Sequence, residues 1–153
     1  MLKHTFAEEC TLIFPLFYTF RSAKSKHMNL LLRIGTIIVF FALASYSVSV
    51  ITEQRKKIVS KFVLYVLTLG VFFDIVATTF MILGSSKGAF TLHGILGYSA
   101  LAAMFIDALL MWRVKRKAGL NARVPELLHL YSLLAYIWWV IAFITGAVLV
   151  LLM

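Results

Sequence analysis

Four long apolar runs alternate with short polar segments along this chain, at residues 29–51, 61–83, 91–113 and 126–150. At about 1.5 Å of rise per helical residue, each run can cross a hydrocarbon core of about 30 Å. Residues 52–60 and 114–123 are basic connectors, and 84–88, GSSKG, form a tight polar turn. Pro125 is expected in the first turn of the last helix, with Glu126 where a carboxylate meets the positive helix end. Four spans with short connections predict an all-α fold: an integral membrane, antiparallel up-down four-helix bundle over residues 28–153.

Polar positions inside the spans are few and phased. In 91–113, His93, Gly97, Ala100, Met104, Asp107 and Met111 recur at steps of three and four and share one helix face. That face suits a flat ligand or another helix. In 61–83, Gly70, Asp74, Thr78 and Met81 line up in the same way. In 29–51, Ala42, Ser45 and Ser49 form a small-residue stripe suited to close helix packing. An ionisable group in hydrocarbon costs a few kcal/mol or more unless it is paired or faces a cavity. Asp74 and Asp107 are therefore candidate functional residues, each weighed against a purely structural role.

Residues 1–27 stand outside the pattern. Residues 10–20 are apolar but broken by Pro15 and too short to span. Three accounts stay open: an interfacial segment burying Phe14, Phe17, Tyr18 and Phe20; a disordered tail; or a true start at Met28.

Composition agrees with the pattern. Of 153 residues, 62% are hydrophobic and only 14% charged, with a mean hydropathy of +0.96. One small soluble core cannot hide that much apolar surface. The net charge of +9 sits in the tail and loops. In a membrane protein such charge sets topology and meets anionic lipid, so lipid is an expected partner and nucleic acid is not. The single cysteine, Cys10, excludes an internal disulfide, a CxxC pair and covalent c-type haem. Walker, GxSxG and HExxH patterns are absent.

Charge asymmetry predicts orientation. Arg55, Lys56, Lys57, Lys61, Arg113, Lys115, Arg116, Lys117 and Arg123 fall on one side. Lys3, Arg21, Lys24, Lys26 and Lys87 fall on the other. The two basic loops, 52–60 and 114–125, are therefore expected in the cytoplasm, with both termini outside. Depth then sorts the candidates. Arg33, Asp74 and His93 are expected in the outer half, where Arg33 can pair with Asp74 or with a ligand carboxylate. Asp107 and His129 are expected to meet in the inner half. His93 and His129 differ in depth by about 25 Å, too far to ligate one iron together in a regular bundle. Each is a candidate metal ligand or a helix-end hydrogen bonder. Met81, Met104 and Met111 read mostly as packing. Trp138 and Trp139 lie too deep for an interface belt, so they pack in the bundle or line a ring-shaped pocket.

The segments FDIVATTFM, FTLHGILGYSALAAMFIDALLMW and LHLYSLLAYIWWVIAFITG resemble the haem-sensing membrane protein (HsmA-like) family, from about Met28 to the C-terminus. The resemblance implies a four-helix protein of the bacterial inner membrane that binds haem b and protects against haem or oxidant stress. It carries over to His93 and His129 as metal ligands and to Asp74 in the FD segment. The family is expected to hold a histidine near Asp107; this chain departs there, which leaves an inner bis-histidine site short of a ligand. Gly97 would make room for the haem ring, and Arg33 would meet a propionate. Three functions follow for test. One is a b-type haem protein for sequestration, stress protection or electron transfer, with no enzymatic turnover required. The second is a small proton-coupled transporter using Asp74 and Asp107. The third is a structural or accessory subunit whose buried charges only fix helix pairing; under any of the three, the chain is a candidate homo-oligomer.

Overall fold

The computed structural model describes residues 30–85 and 91–151. The expectations for residues 1–27 and for most of the GSSKG turn lie outside the described residues. The described residues form four helices: α1 (Leu30–Lys56), α2 (Lys61–Gly84), α3 (Leu92–Ala118) and α4 (Glu126–Leu151). All four are long and apolar enough to cross a membrane. Among the described residues there is no strand, only one isolated bridge between Ile58 and Arg123.

Helix starts follow local chemistry. Ser60 caps α2 by accepting from the Val63 N–H, and Thr91 caps α3 by accepting from the Gly94 N–H. Pro125 sits one residue earlier than expected, just ahead of α4, where its carbonyl accepts from the His129 N–H at 2.9 Å. Two helix ends run past the predicted spans. α1 continues from Ile51 to Lys56, and α3 from Arg113 to Ala118. A charged residue marks the edge of the hydrocarbon, not the end of the helix. Lys115, Arg116 and Lys117 in the last turn of α3 also complement the negative helix end. Gly119, at φ 84°, stops the helix in a conformation that suits glycine.

The helices pack as a ring in chain order. The α1–α2 and α3–α4 pairs are the most extensive, and α2–α3 and α1–α4 close the ring. Consecutive helices joined by a few residues must run antiparallel to pack in this way. The small-residue stripe of α1 meets α2 as expected. A Cβ on Gly70 would lie 2.6 Å from Tyr46 Cδ1 and 3.3 Å from Ser45 Cβ. At the other end of the same pair, a Cβ on Gly84 would lie 2.8 Å from the Leu32 backbone nitrogen.

Polarity is inside out relative to a soluble bundle. Phe41, Tyr65, Phe72, Leu92 and Leu127 point outward, whereas Thr36, Ser49, Glu53, Asp74, Asp107 and Ser132 are buried. Lipid tails solvate the outer face as readily as another helix would, so buried polar groups become the specific contacts. The two basic connectors lie together. Val59 N–H donates to Ala122 O, Asn121 N–H to Val59 O, and Val124 N–H to Lys57 O, at 2.9, 2.9 and 3.0 Å. This short ladder gathers both connectors on one end of the bundle.

Candidate functional site

The buried polar groups form two levels along the bundle axis. The first is near mid-length. Asp74 on α2 accepts a hydrogen bond from Trp139 Nε1 on α4 at 2.6 Å and another from the Tyr46 hydroxyl on α1 at 3.3 Å. Tyr46 is fully buried and stands edge-on to Trp139 with ring centres 5.1 Å apart. Trp139 in turn stacks on Phe143. Asp107 on α3, also fully buried, accepts from the Ser132 hydroxyl of α4 through Oδ1. Its Oδ2 is the only buried side-chain polar atom among the described residues with no hydrogen-bond partner.

The second level lies toward the basic loops. Glu53 on α1 is only 1% exposed. Its Oε1 faces His129 Nδ1 of α4 at 2.8 Å, and its Oε2 accepts from Gln54 Nε2 at 2.9 Å. Gln54 Nε2 also donates to the His129 carbonyl at 2.8 Å. Glu53–His129 is the one acid–base side-chain contact of this kind among the described residues. Tyr46 and Glu53 are seven residues apart, two turns along one face of α1, which separates the levels by about 10 Å.

Several expected pairings are not formed. Arg33 is exposed near the start of α1 and makes no ion pair with Asp74. Asp74 lies about ten residues into α2 from that end, and Tyr46 and Trp139 reach it there instead. Asp107 and His129 do not bond each other: Ser132 takes the first, and Glu53 the second. The face of α3 predicted from the sequence is the inner one from Ala100 to Met111, with Met104 and Met111 packed in the core. Nearer its start the face opens. A Cβ on Gly97 would meet no atom within 4 Å, so Gly97 borders open space. Trp138 is exposed and donates to Ser99, while its neighbour Trp139 is buried.

Glu53 was not a candidate from sequence, because the residues after Ile51 read as a loop. A signal for it exists: Ala42, Tyr46, Ser49 and Glu53 continue one stripe at steps of three and four.

The two histidines differ in their fitness for haem. His93 Nδ1 lies 3.1 Å from Thr145 Oγ1. A Cβ on Gly146 would be 2.7 Å from His93 Cε1 and 2.8 Å from Nε2. Both ring nitrogens thus face α4, and the ring packs between the two helices. His129 has Nδ1 held by Glu53, which leaves Nε2 as the nitrogen outside that bond. A carboxylate on one ring nitrogen is the usual support for a histidine that ligates metal through the other. Two surface grooves between helices have volumes of about 360 and 530 Å³, and no histidine lines either. Among the described residues, no three His, Cys, Asp or Glu side chains come together as a metal-binding group.

Trp139→Phe removes the shorter bond to Asp74 while keeping an aromatic ring. It is expected to lower stability in detergent by about 1–3 kcal/mol, the usual cost of leaving a buried acceptor short of a donor. Unchanged thermal unfolding would show that Tyr46 alone satisfies Asp74.

No known family model, no curated protein and no solved structure matches this chain.

Proposed function

We propose that the protein is a small proton-coupled membrane transporter in which Asp107, supported by Asp74, takes up and releases the proton. The observation that carries this reading is the bare Oδ2 of Asp107 in the centre of the bundle. A carboxyl group kept only to lock helices together is expected to have its oxygens satisfied, because an unpaired buried acceptor costs about 1–3 kcal/mol. One left half-paired keeps an acceptor available for a partner that comes and goes. A proton and a cationic cargo compete for the same oxygen, and that competition couples their movements.

The neighbouring groups support a path. Every helix contributes to it: Tyr46 and Glu53 from α1, Asp74 from α2, Asp107 from α3 and His129 from α4. Glu53 and His129 lie between the central carboxyls and the basic-loop end. Tyr46 joins Asp74 to the same group through its hydroxyl. We place loops 52–60 and 114–125 on the cytoplasmic side of a bacterial inner membrane, with both termini outside. The gathering of both basic connectors on one end supports that orientation.

The test is acidification of proteoliposome interiors under an imposed cation gradient, read by a pH-sensitive dye. The transporter reading expects flux from the wild-type protein. Flux equal to that of empty vesicles, with each of several cations, would end it.

A second reading, haem b binding, is favoured at one residue: His129, for the Glu53 support of its Nδ1. Haem there would supply redox chemistry or simple sequestration. Glu53 would orient the ligating ring, and His93, held on α4, would take no part. The expected spectrum of haem-supplied protein then shows a Soret band and reduced α and β bands that are lost in His129→Ala and kept in His93→Ala. A colourless protein that takes up no added haem would remove this reading.

A further inference from the structure

We infer that the groove between α3 and α4 at the basic-loop end is a binding site for one anionic phospholipid. The groove has a volume of about 530 Å³. Its floor is apolar, with Leu110 from α3 and Leu128 and Tyr131 from α4, and three cations, Arg113, Lys117 and Arg123, stand among its lining residues. No carboxylate lines it. The division matches an amphiphile with one negative head and an apolar tail. An apolar trough between helices accepts the chain, and a cluster of basic side chains at the membrane surface accepts the phosphate. A zwitterionic head would bring its own cation into the same cluster and lose most of the attraction.

The site is built, and does not depend on chance proximity of surface charges. Arg113 and Lys117 are four residues apart, one above the other on α3. Arg123 belongs to a different segment, and the loop ladder fixes its backbone. It bridges to Ile58, and the adjacent Val124 N–H donates to Lys57 O. Lys57 and Asn121 adopt positive φ values of 53° and 63° to make the ladder. The α1–α2 connector thereby holds a cation beside a groove formed by the other two helices. The inference is independent of the transporter and haem readings, since none of the lining residues belongs to the buried polar file.

Native mass spectrometry of the full chain, released from detergent, tests the site. The protein is supplied in turn with phosphatidylglycerol, phosphatidylcholine and soluble glycerol phosphate. Phosphatidylglycerol is expected to stay bound as one molecule, and the other two are expected to leave. Each cation contributes about fivefold, so Arg113→Gln, Lys117→Gln and Arg123→Gln together should weaken retention on the order of 100-fold. Ala118→Trp, at an exposed lining position, fills the trough with all charges kept and should also release the lipid. Arg55→Gln, Lys56→Gln and Lys61→Gln remove equal charge outside the groove and should leave retention unchanged. Equal loss in both triple variants would show diffuse surface attraction and overturn the site. Equal retention of phosphatidylcholine would do the same, and capture of glycerol phosphate alone would replace the lipid with a small phosphate ester.

Discussion

Asp107→Asn is expected to lower proton-driven flux in proteoliposomes by roughly 100-fold, the scale of losing a positioned proton donor or acceptor. Asparagine has the same shape as aspartate and can still accept from Ser132, so the helix bundle should form. What it loses is the exchangeable proton at a buried oxygen that, alone among the described residues, lacks a partner. Asp74→Asn should have a smaller effect, because Trp139 and Tyr46 already occupy the Oδ2 of that side chain. The ordering of the two variants is therefore the informative result. Flux that survives Asp107→Asn, in protein with unchanged circular dichroism, would reduce Asp107 to a structural residue. Flux lost equally in both would make Asp74 a second carrier of the proton and not a support.

The second large effect is on folding. Gly70→Ala places a methyl group 2.6 Å from Tyr46 Cδ1 and 2.7 Å from Cε1, closer than carbon atoms tolerate. Tyr46 cannot swing aside freely. Its ring is fully buried, its hydroxyl bonds Asp74, and its edge meets Trp139. Either the ring moves and those contacts weaken, or α1 and α2 separate. Overpacking of this kind costs about 1–3 kcal/mol, measurable as a lower midpoint in denaturing-detergent titration. Gly97→Ala is the matched control. Nothing lies within 4 Å of its added methyl, and alanine favours the helix by about 0.5–1 kcal/mol. A fall for Gly70 with no fall for Gly97 is the expected pair of results. Equal midpoints would show that the α1–α2 interface relaxes around the methyl.

The contrast between these glycines shows where sequence reasoning stops. Both sit on faces picked out by periodicity next to small or polar residues. Gly70 packs under an aromatic ring and Gly97 borders open space, and spacing along one helix does not reveal what lies across from it. The same limit explains the pairings. Arg33 and Asp74 were expected to meet because their signs were opposite and their depths similar. Opposite charge is a weak guide where a tryptophan N–H and a tyrosine hydroxyl on facing helices can reach the carboxylate first. The Glu53–His129 pair was missed because charge after Ile51 marked the edge of the span, although the helix and its buried stripe continue for another turn.

The apolar runs by themselves determined the four helices of the described residues and roughly where each one lies. Backbone N–H and C=O groups in hydrocarbon must bond within their own segment, and a helix is the only local solution, so length and hydropathy suffice. Loop lengths and charge likewise determined that the two basic connectors share an end. Only the tertiary structure decided the rotation of each helix about its axis. With lipid as apolar as the helices, hydrophobicity does not say which face turns inward. That choice fell to the close contact at Gly70, the file of Asp74, Asp107 and Glu53, and the aromatic and hydroxyl groups that reach them.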